Sequence, residues 1–162
     1  MTRTRIVPIA MLVTLTVVGG SSIAQESAAK WLWYPEDAAS DAREQARWFR
    51  YAFELPQAPA RASLWLMVDD RQTLWVNGDG PLEPDERDTA AWRYDLTRHL
   101  RAGANLLSVE AWNATSVAGV IARLTLRMPD GTEATLTSDD TWRVSREAPE
   151  SWTAIPARCR QR

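Results

Sequence analysis

The feature that most constrains the fold is an alternation of apolar and polar residues that recurs between residues 48 and 144. A period of two places every second side chain on the same face of a β-strand. No segment after residue 30 shows the competing helical period of 3.6 residues over three turns. The chain is therefore predicted to be all-β. The alternating apolar positions are Phe49, Tyr51, Phe53, Leu55; Ala62, Leu64, Leu66, Val68; Leu74, Val76; Leu107, Val109, Ala111; Val120, Ala122, Leu124, Leu126, Met128; Ala134, Leu136; Trp142, Val144.

Residues that favour turns separate these runs. They include the Pro-containing stretch 55–59, the Asn-Gly-Asp-Gly-Pro sequence at 77–81 and Pro-Asp-Gly at 129–131. About eight short strands, each with one apolar face, predict a single β-sandwich, with a barrel as the alternative. Because there is no internal repeat and no linker, one domain is predicted over residues 30–146, followed by a C-terminal tail over 147–162.

The N-terminus has the pattern of a secretory signal peptide. Arg3 and Arg5 precede an apolar stretch over 6–18, and Ser22-Ile23-Ala24 has the small-x-small pattern of a signal-peptidase site. The apolar stretch is shorter than the ~20 residues of a membrane-spanning helix, although an uncleaved anchor is the alternative. Residues 1–24 are predicted to be a signal peptide, and the protein to be exported by a bacterium to the periplasm or the extracellular space, with no membrane span after cleavage.

Composition excludes several classes of protein. One His and one Cys cannot form a His/Cys zinc site, and a single Cys cannot form an internal disulfide. Cys159 is predicted to be a tail residue without a role. A net charge of −2 with no block of Lys and Arg argues against nucleic-acid binding. The remaining unusual feature of the composition is the presence of nine Trp residues.

Several segments occur in a characteristic order: Trp-Leu-Trp-Tyr-Pro at 31–35, Val-Asp-Asp-Arg-Gln-Thr-Leu-Trp-Val-Asn-Gly at 68–78, the Tyr-Asp-Leu-Thr segment 94–105, the segment 109–124, and a late Trp-Arg-Val-Ser at 142–145. Together they resemble the galactose-binding-like jelly-roll domain. The similarity is greatest to accessory domains of bacterial α-L-rhamnosidases and to the sugar-binding domain of family 2 glycoside hydrolases. The resemblance implies a jelly roll associated with carbohydrate, which either binds sugar or braces a catalytic neighbour. Such a neighbour is expected to be absent or on another polypeptide.

A candidate sugar-binding site combines carboxylates, Arg, Asn and Trp at loop ends. Aromatic rings stack on the C–H faces of sugars, while Asp, Asn and Arg form hydrogen bonds with vicinal hydroxyls. The alternative for the acidic pair is a tight turn whose side chains cap backbone amides; a loop-end ligand or metal role also stays open. The pair is poorly suited to glycoside hydrolysis, because adjacent residues on an extended chain point to opposite faces. The predicted ligand-binding residues are Asp69, Asp70, Arg71, Trp92, Trp112 and Asn113.

Trp65 and Trp75 are out of phase with the core residues of their strands and are predicted to lie on an outer face. If the two strands form a hairpin around Asp70, the two Trp residues form a cross-strand aromatic pair. Such a face could dock another exported protein, since Trp and Arg are enriched at binding hot spots. Sugar binding, or internal packing beneath Trp31 and Trp33, are the alternatives. Trp142 shares the phase of Val144 and is predicted to be in the core.

The acidic loop 79–88 carries carboxylates at positions 79, 83, 85, 86 and 88. Because galactose-binding-like domains often carry a structural calcium ion, the resemblance makes calcium possible, with oxygen ligands suited to it. A solvated loop is the alternative. Asp95, Thr97 and His99 are predicted to have structural roles. The chain is thus predicted to be an exported, non-catalytic carbohydrate-binding module; the alternatives are a scaffold or adhesion domain and, third, an accessory part of a glycoside hydrolase.

Overall fold

The computed structural model describes residues 28–34, 43–88, 91–115 and 117–155. Within these residues the chain forms ten strands and no helix. The predicted signal peptide and Cys159 lie outside the described residues. The described part of the chain contains no helix long and apolar enough to cross a membrane. The strands are β1 (Gln45–Leu55), β2 (Arg61–Asp69), β3 (Arg71–Val76), β4 (Asp79–Leu82), β5 (Glu86–Arg87), β6 (Trp92–Asp95), β7 (Gly103–Asn113), β8 (Gly119–Arg127), β9 (Glu133–Thr137) and β10 (Arg143–Ser145).

The strands form two antiparallel sheets of five strands each, which confirms the predicted all-β sandwich. Sheet A has the order β5-β6-β2-β8-β9, and sheet B has the order β10-β1-β7-β3-β4. The prediction of about eight strands was low because β4, β5 and β6 are two to four residues long. Strands of that length are too short to display an alternating pattern, so backbone pairing alone reveals them.

The core lies between the sheets and is built from the alternating apolar positions. Phe49, Leu66, Leu74 and Val109 are fully buried. Trp142 packs against this core as predicted, with its ring parallel to that of Tyr51 at a centroid distance of 5.1 Å. Other large side chains that are fully buried are Tyr94, Leu64, Leu96, Leu106, Leu107, Leu124, Leu126 and Val76.

The N-terminal segment packs on the sandwich next to β8. Leu32 forms an isolated antiparallel bridge with Val120, with both backbone hydrogen bonds at 2.9 Å. Trp33 packs against Phe49 at a ring-centroid distance of 5.9 Å. Trp31 lies against Gly119, where an added Cβ would come within 2.6 Å of the indole ring, yet its side chain stays 57% exposed.

The predicted hairpin of β2 and β3 around Asp70 is wrong. β2 pairs with β6 and β8 in sheet A, whereas β3 pairs with β4 and β7 in sheet B. The chain therefore crosses from one sheet to the other at Asp69 and Asp70. Each strand has the same alternation whether the connection is a hairpin or an arch, so the pattern could not distinguish them. The arch lets the apolar faces of the two strands cover each other across the core.

This crossing separates Trp65 from Trp75, so the predicted aromatic pair on one face does not exist. Trp65 lies between Arg93 and Arg123 on the outer face of sheet A and is 39% exposed. Trp75 lies opposite Ser108 on the outer face of sheet B. Both residues point away from the core, as their phase predicted, but in opposite directions.

The C-terminal segment covers Trp75. The ring of Trp152 meets Trp75 edge-on at 4.8 Å, and the Ser108 hydroxyl donates a hydrogen bond to the Trp152 carbonyl over 3.0 Å. The Arg50 guanidinium donates to the Ala154 carbonyl over 3.2 Å, and Ile155 is buried. Part of the segment predicted as a tail therefore packs on sheet B.

Candidate functional site

Five of the six predicted ligand-binding residues come together at one end of the sandwich. At this end β2 and β7 finish, while β3 and β8 begin. Asp69 pairs with Gly119 in sheet A, and Arg71 pairs with Trp112 in sheet B. The arch between the sheets thus brings the acidic pair beside the end of β7. We call the set Asp69, Asp70, Arg71, Trp112 and Asn113 the arch cluster.

Asp70 holds two strand ends together. Its backbone amide donates to the Trp112 carbonyl over 2.8 Å, and its carboxylate accepts a hydrogen bond from the Ala114 amide over 2.7 Å. The alternative interpretation was a tight turn whose acids cap its own amides; Asp70 does cap a backbone amide, but that amide belongs to Ala114 after β7. A ligand-binding role is compatible with this bond, because a carboxylate accepts at both oxygens and the residue is exposed.

Asp69 is exposed and close to Asp70. Burial, a hydrogen bond with Asp70 and the negative charge of Asp70 together raise the pKa of Asp69 above its ordinary value of 3.8. Two carboxyl groups that share a hydrogen bond are too close to lie ~5–10 Å apart on either side of a glycosidic bond. The geometry therefore suits binding of hydroxyl groups better than acid–base hydrolysis.

The raised pKa of Asp69 predicts a pH-dependent gain in stability for Asp69→Asn. The folded state binds this proton more tightly than the unfolded state, so the wild type loses stability as pH rises from 3.8 through the raised pKa. Asn cannot ionise and avoids that loss. We expect the free energy of unfolding to rise by up to ~0.5 kcal/mol at about pH 7 for this exposed residue, and to stay unchanged at about pH 2–3. Chemical unfolding at the two pH values measures it; a loss of stability at neutral pH would contradict it.

Arg71 and Trp112 form a stacked pair on the outer face of sheet B. The Arg71 guanidinium carbon lies 5.4 Å from the centroid of the half-buried Trp112 ring. The distance is that of a cation–π contact. This edge of sheet B therefore presents a guanidinium close to an indole, and not a bare aromatic face.

Asn113 lies on the core side of the same strand end and is fully buried. Its side-chain amide donates to the Thr115 carbonyl, so it shapes the turn that follows β7. Its part in the predicted site is therefore indirect in this structure: it positions the backbone to which Asp70 is bonded.

Trp92 lies apart from the arch cluster. It is the first residue of β6 and pairs with Leu66, three residues and about 10 Å along β2 from Asp69. It is half-buried against the core, and the Arg87 guanidinium lies 4.8 Å from its ring centroid. The structure thus places Trp92 in a packing contact with Arg87.

Arg47 is a residue at the same end of the sandwich that sequence reasoning missed. It precedes Phe49 in the core-facing phase of β1 and is buried. Its guanidinium donates to the Ala46 carbonyl over 2.6 Å and lies 6.0 and 5.5 Å from the ring centroids of Trp33 and Tyr34. The available signal was a charged residue at an apolar phase position just ahead of a strongly alternating run.

The acids of the loop 79–88 are engaged with neighbouring groups. Glu83 pairs with Arg87 at 2.7 Å, Glu86 pairs with Arg93 at 2.9 Å, and Asp85 accepts a hydrogen bond from the Asp95 amide. Across 28–34, 43–88, 91–115 and 117–155, no three His, Cys, Asp or Glu side chains are grouped so that they could hold a metal ion. The described residues thus give calcium no site, and it stays a prediction.

Comparison with known proteins places this chain beside parts of larger ones. No family model matches it. A curated α-L-rhamnosidase of Streptomyces avermitilis is 33% identical over 130 residues, which cover 75% of this chain and 12% of that enzyme. An α-L-rhamnosidase of Formosa agariphila is 23% identical over 150 residues, covering 75% of this chain and 16% of the enzyme. The chain therefore spans less than a fifth of the curated relatives it matches.

Two solved structures share the fold over most of the chain. The S. avermitilis α-L-rhamnosidase complexed with L-rhamnose superimposes with a TM-score of 0.67 at 29% identity, covering 78% of this chain and 13% of that one. The lectin from Pleurotus ostreatus in complex with GalNAc superimposes with a TM-score of 0.63 at 25% identity, covering 78% of this chain and 37% of the lectin. The neighbours are thus regions of α-L-rhamnosidases and a lectin, which confirms the resemblance and is consistent with a galactose-binding-like accessory domain.

Proposed function

We propose that this protein is a non-catalytic carbohydrate-binding module whose sugar contacts lie at the arch cluster. The observation that carries the proposal is the shared fold, at 25% identity or more, with one protein complexed with L-rhamnose and another complexed with GalNAc. Both relatives were obtained with a monosaccharide, so a small glycoside or the end of a glycan is the proposed ligand class.

The arch cluster supplies the hydrogen-bonding groups that a sugar needs. In this proposal, the exposed carboxylates of Asp69 and Asp70 accept hydrogen bonds from neighbouring hydroxyls. Arg71, supported by Trp112, donates to ring or hydroxyl oxygens. A set with both donors and acceptors in fixed positions selects particular pairs of hydroxyls, because each unpaired buried group would cost binding energy.

The same geometry supports the proposal of binding without catalysis. Hydrolysis of a glycosidic bond requires two carboxyl groups on either side of the scissile bond, whereas Asp69 and Asp70 are hydrogen-bonded to each other. The segments that match the rhamnosidases are also a small part of those enzymes. Accessory modules of this kind bring a partner enzyme or a cell surface to a glycan without acting on it.

Export completes the proposal, because the glycans that such modules meet lie outside the cytoplasm. It rests on the signal-peptide pattern of residues 1–24. The alternative of a docking or adhesion domain rested on a shared face of Trp65 and Trp75, and the sheet topology separates those two residues. We therefore do not carry that alternative further.

The decisive experiment is titration calorimetry with L-rhamnose, GalNAc and a panel of polysaccharides. We expect binding to at least one sugar, and Asp69→Ala to weaken it by about tenfold or more, since a bond to a charged group contributes ~1.5–3 kcal/mol. Asp69 suits the test because its side chain bonds only to Asp70 among the described residues. The matched control is Glu54→Ala, which removes an exposed carboxylate at the far end of β1 and should leave affinity unchanged.

Two results would overturn the proposal. The first is the absence of heat and of a fluorescence change with every sugar in the panel. The second is equal affinity of wild type and Asp69→Ala for a sugar that does bind, which would move the site away from the arch cluster.

A further inference from the structure

A cleft lies at the end of the sandwich opposite to the arch cluster. It has a volume of about 530 Å³ and is lined by Ala60, Arg61, Asp95, Thr97, Arg98 and His99. Arg61 begins β2 and Asp69 ends it, so the cleft is roughly 26 Å from the arch cluster along that strand. Nothing in the proposed sugar site uses these residues.

The acids around this cleft are already satisfied. Asp95 accepts hydrogen bonds from both the amide, at 2.9 Å, and the hydroxyl of Thr97, and these bonds lower its pKa below the ordinary value. Asp85 accepts from the Asp95 amide, and Asp79 lies 3.6 Å from the His99 ring. The backbone of His99 is in turn held by the side chain of Asn77.

The two arginines, by contrast, are not engaged. Within the described residues, neither Arg61 nor Arg98 forms an ion pair within 4.0 Å. Both are exposed, and both are close enough to Asp95 for their charges to lower its pKa. The lining therefore holds two guanidinium groups that form no ion pair, together with one carboxylate, Asp95, that is already hydrogen-bonded.

We propose that this cleft binds the anionic group, a carboxylate or a sulfate, of an acidic glycan. A guanidinium is a planar fork of donors that matches the oxygens of such groups, and two of them at the mouth of one cleft select an anion over a neutral hydroxyl. The site is thus a second glycan contact, of different chemistry from the arch cluster.

The surface next to the cleft fits the rest of such a glycan. Arg61, Ser63 and Trp65 alternate along the outer face of β2, which places Trp65 about 13 Å from Arg61. Trp65 is 39% exposed, and its cross-strand neighbours are Arg93 and Arg123. A sugar unit near the anionic one can therefore stack on this indole. This contact gives Trp65 a role that does not require Trp75.

The test compares a short oligogalacturonate with its methyl ester, which has the same sugar rings without the negative charges. We expect calorimetry to detect binding of the acid and not of the ester. The affinity should fall between about 0.05 M and about 0.5 M NaCl because salt screens the charges.

Arg61→Ala and Arg98→Ala should each weaken binding by about tenfold. Trp65→Ala should weaken binding of the oligomer but not of galacturonic acid itself. Dextran sulfate in place of the oligogalacturonate shows which anionic group is preferred.

Arg143→Ala is the matched control, because it removes an exposed arginine from the other sheet. Asp69→Ala should keep oligogalacturonate binding, so that failure of the sugar site and failure of this cleft are separate results. Equal affinity for acid and ester, unchanged binding in both Arg61→Ala and Arg98→Ala, or equal binding of a single-stranded oligodeoxynucleotide would overturn the proposal.

Discussion

Replacing Asn77 with Ala is expected to lower the free energy of unfolding by about 3 kcal/mol. The Asn77 side chain donates to the His99 carbonyl over 2.7 Å and to the Asn105 side-chain oxygen over 3.0 Å. Its own oxygen accepts from the Leu106 amide over 2.8 Å. Removal of this amide takes a partner from the His99 carbonyl and from the Leu106 amide. An unsatisfied polar group away from water costs more than a single hydrogen bond contributes.

Asn105 extends the same network into the turn before β7. This buried side chain donates to the carbonyls of Arg101 and Gly103, at 2.8 and 3.0 Å, and accepts from the Arg101 amide at 3.0 Å. Two Asn side chains thus bind the end of β3, the turn at 97–100 and the start of β7 to one another. We expect Asn105→Ala to be comparably destabilising, and the double variant to cost less than the sum because the two residues share a bond.

The variant Asn77→Gly distinguishes the effect of losing the side-chain hydrogen bonds from the effect of backbone strain. Asn77 has a φ of +56°, in the left-handed region where Ala is strained and Gly is not. In urea unfolding, the free energy of unfolding of Asn77→Gly should therefore be about 1 kcal/mol higher than that of Asn77→Ala. It should still be well below the value of the wild type. A Gly variant as stable as wild type would mean that the hydrogen-bond network contributes nothing.

Two asparagines in the sequence segments that carry the family resemblance stabilise the fold and are not part of the candidate site. The Trp-Val-Asn-Gly and Gly-Ala-Asn sequences supply Asn77 and Asn105, whose contacts are all within the protein. Their pattern predicts the fold, because each Asn fixes a turn that the sandwich requires. It does not predict a ligand, since both side-chain N–H groups of each Asn already donate hydrogen bonds within the protein.

The alternation of apolar residues predicted the strands and their buried faces, since burial on one face leaves a direct trace at every second residue. The alternating pattern did not indicate that β2 and β3 pair in different sheets. It also did not predict that Trp152 covers Trp75, because the segment around Trp152 packs without forming a strand. Pattern arguments fail where a contact depends on one side chain and a distant carbonyl.

For the candidate site, turn chemistry brought five of six residues to the same place. Asp69, Asp70 and Arg71 are contiguous, and the end of β7 meets them because β3 and β7 are paired. What the sequence could not indicate was orientation. Trp112 is out of phase and lies on the outer face, but Asn113 follows in the core phase and is therefore buried. Trp92 was predicted to lie at a loop end, but it begins a strand whose four residues are too few to show an alternating pattern.

Arg47→Ala is expected to lower the free energy of unfolding by about 2–3 kcal/mol. The buried guanidinium donates to the Gln45 side-chain oxygen over 2.5 Å and to the Ala46 carbonyl, and it approaches both Trp33 and Tyr34. Loss of the side chain opens a gap beside the N-terminal segment and takes a donor from two partly buried acceptors. Both effects are costly in a packed interior.

Two further variants at this position distinguish charge from packing. Arg47→Met keeps an unbranched apolar stem without the charge, and replacement of a buried charged group by an apolar one of similar size is often close to neutral. Arg47→Lys keeps the charge but loses the planar fork and its stacking. If packing dominates, Arg47→Met should recover most of the lost stability; if the hydrogen bonds and ring contacts dominate, neither variant should. Denaturant unfolding followed by Trp fluorescence measures the stability of each variant. Arg143→Ala, an exposed arginine on the neighbouring strand, should change stability by no more than about 0.5 kcal/mol. Unchanged stability in Arg47→Ala would contradict the anchoring of the N-terminal segment by this residue.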